Sequence, residues 1–314
     1  MITLLKLMVD RNRAEKQRNA RTYPRMQNPD AVSSLTVLPL VDFYSAIPDA
    51  KTEAGVSYLV KAGDFTLLMD VGHNEKREHP SPLIRNMELL GVRLADVSAL
   101  FISHFHFDHL GGKKNERKKT FSLSNGAVDF PPIPVYAPLP IRHSPFNMNP
   151  GSEVRVSLDP VRIAPGVYSI GSIPRALYLM GYTEEQALAV NVAGKGIVLI
   201  IGCGHQTIQR VIERARQLFD IPIYGIIGGL HFPVHGGRIM VGPINGQSLV
   251  GSDRMPWNGI NENDVREAIG AISDAGVKLV SLSAHDSSDW ALNEFKHAFG
   301  DAYVDLLVGA PIKV

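Results

Sequence analysis

The stretch Ser103-His-Phe-His-Phe-Asp-His-Leu-Gly-Gly112 decides the fold of this chain. It places the imidazoles of His104, His106 and His109 and the carboxylate of Asp108 within six residues. Such groups would repel one another if protonated and would cost desolvation if buried neutral. Neutral imidazole nitrogen and carboxylate oxygen suit zinc, iron or manganese, so a pair of divalent metals accounts for this composition. A surface histidine cluster in a polar loop is the disfavoured alternative.

The apolar run 97–102 comes directly before this motif and predicts a short buried strand. The strand delivers the motif at its carboxyl end. In a segment that is still extended, His104 and His106 point the same way. Asp108 and His109 follow after the backbone begins to turn, so they can face a second metal.

Other apolar strands of the chain also end in residues that bind metals. Ligands collect beyond the carboxyl ends of strands in α/β sheets, because the loops there converge while the sheet stays rigid. Six of the eleven histidines stand at such ends. The strand-end residues outside the motif are Asp70, Cys203, His205, His231 and His285. Four strands that share this habit predict one common site.

The composition of the 314 residues is that of an ordinary globular protein, with 45% hydrophobic and 20% charged residues. A net charge of +1 gives no argument for nucleic acid or an anionic membrane as partner. The single cysteine excludes an intrachain disulfide and fits a reducing compartment. No apolar run approaches the roughly 20 residues of a membrane span, and the first residues make a poor signal peptide. We therefore expect a cytoplasmic protein without a membrane partner.

The chain is expected to divide into a polar arm, residues 1–34, and a single domain, residues 35–314. The arm predicts an exposed or frayed helix, with docking onto a second copy of the chain as the alternative. Ten of the 21 prolines lie between Pro131 and Pro174, so the segment of about 113–175 is expected to be irregular, with short edge strands. A polar, glycine-rich insertion is predicted at about 235–261. A hairpin is predicted from 56–60 and 65–69, and helices are predicted at 82–92, 207–219 and 262–275.

The motif His104-Phe-His-Phe-Asp-His109 has the His-x-His-x-Asp-His form of the metallo-β-lactamase superfamily, which this chain resembles over about residues 35–314. Asp70 is similar to the first motif of that superfamily and His285 to the last. The chain also resembles one branch, whose hydrolases are similar to the archaeal dihydropterin–aminobenzene ribofuranosyl phosphate synthase of methanopterin assembly. The motifs in the order of that branch are Gly171-Ser-Ile-Pro-Arg175, Gly202-Cys-Gly-His205, Gly228-Gly-Leu-His231 and Ala284-His285.

The resemblance implies a mixed α/β fold, a four-layer αββα sandwich with a dinuclear metal site at one edge of the sheets. It implies that one metal is held by His104, His106 and His205. The other metal is then held by Asp108, His109 and His285. Zinc is the expected metal, with iron or manganese as alternatives. We interpret Asp70 as an acceptor that orients a ligand histidine rather than as a ligand.

Cys203 stands where most members of the superfamily carry a bridging aspartate. A thiolate can bridge or bind one metal, because a metal lowers the pKa of the thiol. A small buried packing residue is the competing interpretation. Glu184, Glu185 or Gln186 could instead supply the missing oxygen. The branch usually has Cys-Ser-His and His-Cys-Thr-Gly where this chain has Cys203-Gly-His205 and His285-Asp-Ser-Ser288, which leaves the substrate open.

The function that we predict is metal-dependent hydrolysis or group transfer by a hydroxide that two metals share, with Asp108 as the proton acceptor. The substrate is expected to be small and anionic, phosphorylated or pterin-like, with Arg175 as a fork for phosphate and His231 lining the pocket. The basic run Lys113–Lys119 is either a solvated loop or a rim that attracts phosphate. A phosphodiesterase or lactone hydrolase is the alternative enzyme. A metal-binding sensor or binding protein without turnover is the alternative of another class.

Overall fold

The computed structural model describes residues 2–148, 151–242 and 244–314. The helices are α1 (Ile2–Ala20), α2 (Pro82–Leu89), α3 (Lys113–Lys118), α4 (Ile208–Leu218), α5 (Gly246–Val250), α6 (Glu262–Asp274) and α7 (Asp289–Phe299). The strands are β1 (Leu35–Val41), β2 (Ser57–Ala62), β3 (Phe65–Met69), β4 (Ala99–Phe101), β5 (Thr120–Phe121), β6 (Val128–Asp129), β7 (Val135–Ala137), β8 (Arg142–His143), β9 (Asn147–Met148), β10 (Val154–Val156), β11 (Val161–Ala164), β12 (Val167–Leu177), β13 (Gly181–Val192), β14 (Gly196–Ile201), β15 (Ile223–Gly228), β16 (Met240–Val241), β17 (Ile244–Asn245), β18 (Leu279–Leu282) and β19 (Ile312–Lys313).

Two large sheets lie face to face at the centre of the molecule. The first has seven strands in the order β10-β7-β4-β3-β2-β1-β19, and the second has six in the order β11-β12-β13-β14-β15-β18. A buried apolar cluster fills the space between them, and it includes Tyr58 from the first sheet and Leu188 from the second. Further clusters join the first sheet to α2 and the second sheet to α4, α6 and α7. The predicted four-layer αββα sandwich is confirmed.

Local sequence signals account for several of these elements. The predicted hairpin forms from β2 and β3, which pair from Tyr58 opposite Met69 to Ala62 opposite Phe65. Gly63 takes a positive φ of 56° in the turn, where a side chain would be strained. Helix α6 begins with a capping box, in which the side chains of Asn261 and Asp264 each accept a backbone N–H.

The long hairpin of β12 and β13 corrects the expectation of short edge strands up to Pro174. These strands have 11 and 12 residues and pair from Val167 to Leu177. Pro174 stands within β12 opposite Glu184. The neighbouring strand β11 pairs with β12 only as far as Ser169. Beyond Ser169, that edge of β12 has no hydrogen bonds to β11, so Pro174 interrupts none.

The N-terminal segment lies against its own chain. Helix α1 contacts β12 and β13. Directly after the helix, Arg21 forms a two-pronged ion pair with Glu184, at 2.7 and 2.8 Å. Most of this pair is removed from water, since the side chains are 11% and 2% exposed. A buried, bidentate ion pair of this kind fixes the orientation of the segment.

The sheet topology brings the strand-end residues together. Strands β3 and β4 are parallel neighbours in the first sheet, and β14, β15 and β18 are parallel neighbours in the second. The carboxyl ends of parallel neighbours meet at one edge of a sheet, so the residues that follow them can share a site. Among the described residues, no helix combines the length and hydrophobicity that a membrane crossing requires.

Candidate metal centre

Seven residues from the ends of β4, β14 and β18 form one buried group, the donor cluster. Its members are His104, His106, Asp108, His109, Cys203, His205 and His285. The Cys203 Sγ lies at its centre, 3.2 Å from His109 Nε2 and 3.2 Å from His285 Nε2. All seven residues were predicted as metal ligands, and the structure brings all seven together.

Three sets of side chains within this region have ligand atoms that all lie within 4.8 Å of one another. The sets are Asp108, His109, Cys203 and His285; His104, Cys203 and His205; and Cys203, His231 and Asp286. Cys203 belongs to every set. His106 belongs to none of them, and its Nδ1 lies 3.1 Å from His205 Nε2. The three sets therefore overlap at one sulfur.

Asp70 supports two imidazoles of the cluster. Its Oδ2 lies 2.7 Å from His109 Nδ1 and accepts a 2.7 Å hydrogen bond from the Ser103 hydroxyl. Since that hydroxyl proton is committed to Asp70, Ser103 Oγ accepts from His104 Nδ1, 3.0 Å away. In their neutral forms both imidazoles then carry their proton on Nδ1, which leaves Nε2 with a lone pair. Asp70 has a positive φ of 57°, the kind of strain that is common at functional sites.

A second aspartate, Asp42, supports the cluster from β1, and our sequence analysis missed it. Its Oδ2 accepts from Ser283 Oγ at 2.5 Å, and Ser283 Oγ lies 2.6 Å from His285 Nδ1. The same proton argument leaves the lone pair of His285 on Nε2, facing Cys203. Asp42 follows strand β1 just as Asp70 follows β3, so the strand-end signal was present in the sequence.

Glu185 holds the turn that carries Cys203. Its carboxylate accepts backbone hydrogen bonds from Cys203, Gly204 and His205, at 3.0, 2.8 and 2.9 Å. Glu184 is occupied by Arg21, and Gln186 bonds Ile102 O and two serines. These three residues were predicted as alternative oxygen donors, and the structure gives each of them other partners.

Asp286 is the carboxylate that reaches the cluster instead. It was quoted in the sequence only as a departure from the branch motif. Its Oδ2 lies 3.7 Å from His285 Nε2 and accepts from the backbone N–H of His231 at 3.0 Å. Burial raises the pKa of Asp286 well above its usual range. The signal that would have found it is its position directly after a ligand-type histidine.

His231 lies against the cluster on the side of the 235–261 segment. Its ring centroid is 4.4 Å from that of His205. Its Nε2 lies 3.1 Å from the carbonyl oxygen of Gln247, and because a carbonyl only accepts, Nε2 carries the proton. The Nδ1 atom is buried and has no hydrogen-bond partner among the described residues.

Arg175 lies beside the cluster but is already engaged. It donates to the carbonyl oxygen of His205 and lies 3.4 Å from Asp253. Together with His231 it lines a cavity of about 300 Å³, which we call the His231 cavity. The structure thus gives Arg175 a structural ion pair at the wall of a cavity, rather than a free guanidinium.

The electrostatics of the donor cluster fit divalent metal ions. Burial lowers the pKa of His104, His205 and His285 well below the usual range, and neighbouring imidazoles lower it further. Burial raises the pKa of the Cys203 thiol, and the carboxylates of Asp108 and Asp286 raise it further. A bound cation acts in the opposite direction on the thiol and uses neutral imidazoles as ligands.

Buried nitrogens without a hydrogen-bond partner also fit divalent metal ions. His104 Nε2, His106 Nε2 and His205 Nδ1 are buried and make no hydrogen bond within the described ranges. Buried polar atoms in folded proteins are nearly always paired, with protein, water or an ion. Imidazole nitrogens next to a thiol and a carboxylate are the donor set that zinc prefers.

Comparison with known proteins agrees with the fold. The sequence pattern of the metallo-β-lactamase superfamily matches residues 50–120, which contain Asp70 and the whole 104–109 motif. This chain has a metallo-β-lactamase superfamily domain. The crystal structure of Tm1679, a metal-dependent hydrolase of the β-lactamase superfamily, superposes with a TM-score of 0.56 and 17% identity, over 89% of this chain and 99% of the other.

Two curated relatives extend the comparison. The 7,8-dihydropterin-6-methyl-4-(β-D-ribofuranosyl)-aminobenzene-5′-phosphate synthase of Methanocaldococcus jannaschii is 24% identical over 275 residues, which are 75% of this chain and 81% of that protein. Ribonuclease Z of Mycolicibacterium gilvum is 36% identical over 94 residues, 30% of this chain and 29% of its own length. The expected superfamily is confirmed, and the matched proteins are enzymes.

Proposed function

We propose that this protein is a metal-dependent hydrolase or group transferase that acts on a small anionic substrate at the donor cluster. The observation that carries the proposal is the sharing of Cys203 by two neighbouring sets of metal-type donors. The set of His104, Cys203 and His205, with His106 beside it, would hold one metal. The set of Asp108, His109, Cys203 and His285 would hold the other, and zinc is the metal that suits this mixture of sulfur and imidazole.

When bound, such a metal pair makes water nucleophilic at neutral pH and polarises a phosphoryl or carbonyl oxygen. The chain supplies the remaining functions. Asp108 offers a carboxylate oxygen at the cluster, 3.6 Å from His109 Nε2, and would accept the proton of the attacking water. His231 presents a partnerless Nδ1 with a lone pair and would accept a hydrogen bond from a hydroxyl or amine of the substrate.

Two relatives favour different reactions for this centre. The likeness to the pterin-linked phosphate synthase spans most of both chains and supports transfer on a phosphorylated or pterin-like molecule. The likeness to ribonuclease Z is stronger in identity but confined to 94 residues, and it supports hydrolysis of a phosphodiester. We place the first ahead because it covers 75% of this chain, whereas fold alone does not determine a substrate.

Metal content and turnover test the proposal together. Plasma mass spectrometry on untagged protein should find two equivalents of transition metal per chain. Turnover of bis(p-nitrophenyl) phosphate, or of a phosphorylated pterin, should require that metal. The double variant H106A/D108A should lose at least one equivalent and all turnover. His297→Ala is the matched control, since His297 is an exposed histidine on α7.

Each outcome has a definite meaning. No metal above background after reconstitution would overturn the proposal. Two equivalents without turnover of any phosphate ester or pterin would leave a metal-binding sensor as the function. Turnover of the diester alone, lost in H106A/D108A and retained in H297A, would favour the phosphodiesterase.

A further inference from the structure

A second cavity lies beside the segment that follows the 104–109 motif. It has a volume of about 350 Å³, and we call it the basic cavity. Four cationic side chains line it: Arg77, Lys113, Lys114 and Lys118. Glu75 is the single carboxylate in the lining, and the other polar residues there are serine, threonine, asparagine and histidine.

The basic cavity is built onto the 104–109 motif. Gly111 and Gly112, which directly follow the motif, form part of its wall. Phe107 lies between the donors His106 and Asp108, and its ring is 4.7 Å from the ring of His73. The same ring lies 5.4 Å from the Lys113 ammonium. His73, which lines the cavity, and Asp108 of the donor cluster both lie against Gly55, with His73 N at 2.6 Å and Asp108 O at 3.0 Å from the point that a Cβ there would occupy. A molecule seated in the cavity would therefore lie near the donor cluster.

The cations of the basic cavity have no acidic partners. None of the four forms an ion pair within 4.0 Å in the described part of the chain. In the His231 cavity the opposite holds, because Arg175 pairs with Asp253 and Arg254 pairs with Asp264. Four cations against the single carboxylate of Glu75 leave an excess of positive charge around the cavity, which attracts an anion more strongly than paired arginines do.

One wall of the basic cavity is rigid and contains a buried, unsatisfied group. Glu53 accepts backbone hydrogen bonds from His73 and Asn74, at 2.8 and 2.9 Å, which fixes that wall. His73 is 6% exposed, and its Nδ1 has no partner among the described residues. A buried ring nitrogen without a partner, in the wall of a cationic cavity, is a further hydrogen-bonding group for a ligand.

We propose that the basic cavity binds a terminal phosphate monoester of the substrate, while the substrate's reacting bond lies at the donor cluster. This inference rests on the proposed function, and it assigns the phosphate to Lys113, Lys114, Lys118 and Arg77 rather than to Arg175. A volume of about 350 Å³ accommodates a phosphorylated sugar.

Binding of ribose 5-phosphate to metal-loaded protein, measured by titration calorimetry, tests the assignment. The double variant K113Q/K114Q should bind ribose 5-phosphate about tenfold more weakly, or worse, because each substitution removes a charge-assisted contact with the phosphate. The matched control is K76Q/R117Q, which removes two exposed cations from the same loops that do not line the cavity. Ribose without phosphate should not bind to either variant or to the wild type.

Three results would overturn the assignment. The first is equal affinity of K113Q/K114Q and wild type for ribose 5-phosphate. The second is phosphate binding that disappears when the metals are chelated, which would place the phosphate on the metals. The third is tighter, lysine-dependent binding of single-stranded RNA, which would make the cavity part of a nucleic-acid surface. Metal content and diester turnover of the wild type report separately on the proposed function, so the two failures are distinguishable.

Discussion

Two buried aspartates, Asp70 and Asp42, perform the same task at the donor cluster from different positions. Each stands after a strand of the seven-stranded sheet and reaches a ligand-type imidazole through a serine hydroxyl. Asp70 acts through Ser103, which lies at the end of the neighbouring strand β4. Asp42 acts through Ser283, which lies at the end of β18 in the other sheet.

The two supports differ in how much depends on them. Asp70 accepts from the backbone and hydroxyl of Ser103 and directly from His109, so it governs two imidazoles. Asp42 governs His285 alone and also accepts from the Tyr58 hydroxyl at 3.2 Å. One support lies within a sheet and the other spans the two sheets. The same hydrogen-bond pattern therefore carries unequal weight at the two aspartates, and each bond can be tested separately.

The largest effect is expected from Asp70→Asn. Three donors, the Ser103 N–H, the Ser103 hydroxyl and His109 Nδ1, converge on the two carboxylate oxygens of Asp70. In either orientation, the amide NH₂ of an asparagine would face at least one of these donors. We expect metal affinity to fall by about 10- to 100-fold at both positions, with a matching loss of turnover. Competition with a chromophoric chelator measures it. Ser57→Ala is the control, because its hydroxyl donates only to the backbone oxygen of Asp70. Full metal affinity in Asp70→Asn would show that Asp70 does not carry the greater weight.

Asp42→Asn should have the next largest effect. If the amide nitrogen faces Ser283, the hydroxyl can no longer donate to residue 42 and donates to His285 Nδ1. The imidazole proton then moves to Nε2, which faces Cys203 and could no longer bind a metal. We expect about a tenfold loss for one of the two metals. Nitrogen NMR shifts of His285 report the tautomer, and Tyr58→Phe, which keeps the serine bond, should leave it unchanged.

Ser283→Ala should weaken the same metal by less. The variant removes the acceptor for His285 Nδ1 but leaves the proton free to remain there, so we expect a loss of roughly fivefold or less. Ser281→Ala is a close control, since Ser281 is buried two residues earlier on β18 and its hydroxyl has no partner in the described structure. A larger loss in Ser283→Ala than in Asp42→Asn would reverse our order of the two bonds.

The smallest effect concerns pH and stability rather than the metals. Burial raises the pKa of Asp42 from 3.8 to about 6, against hydrogen bonds that lower it. The stabilisation from the bound proton is thus complete below pH 3.8 and is lost as the pH rises through about 6. The measurement is made with a chelator present, so that no metal is bound. Between about pH 5 and pH 7, the free energy of unfolding of the wild type should fall by roughly 1 kcal/mol relative to that of Asp42→Asn. The same pH dependence of the free energy of unfolding in the two proteins would contradict this.

The sequence predicts the donor side of the site better than the supporting side. The motif 104–109 and the strand-end residues are visible because metal binding restricts residue type at short, fixed spacing. Asp42 and Ser283 are 241 positions apart in sequence and meet only because β1 and β18 end near each other in opposing sheets. Such a contact depends on sheet packing, which no local pattern encodes.

Arg175 and the 131–174 region show the same limit. The proline count correctly predicts short strands such as β7, but it gives no indication of the long strand β12. A strand tolerates a proline when the edge on which its missing N–H would lie is unpaired, and the count does not show which edge is paired. Arg175 resembles a phosphate-binding residue in sequence, but Asp253 lies beside it in the fold. In both cases a distant neighbour decides the role of a residue.

The bridge from Asp42 to Ser283 has a consequence for biosynthesis. The metal-binding group is assembled from segments that leave the ribosome far apart in time, since His104 precedes Ser283 and His285 by about 180 residues. A nascent chain that ends before β18 has the 104–109 motif but lacks both His285 and the serine that sets its proton. Metal capture in the final geometry must therefore be a late event, after the two sheets have docked.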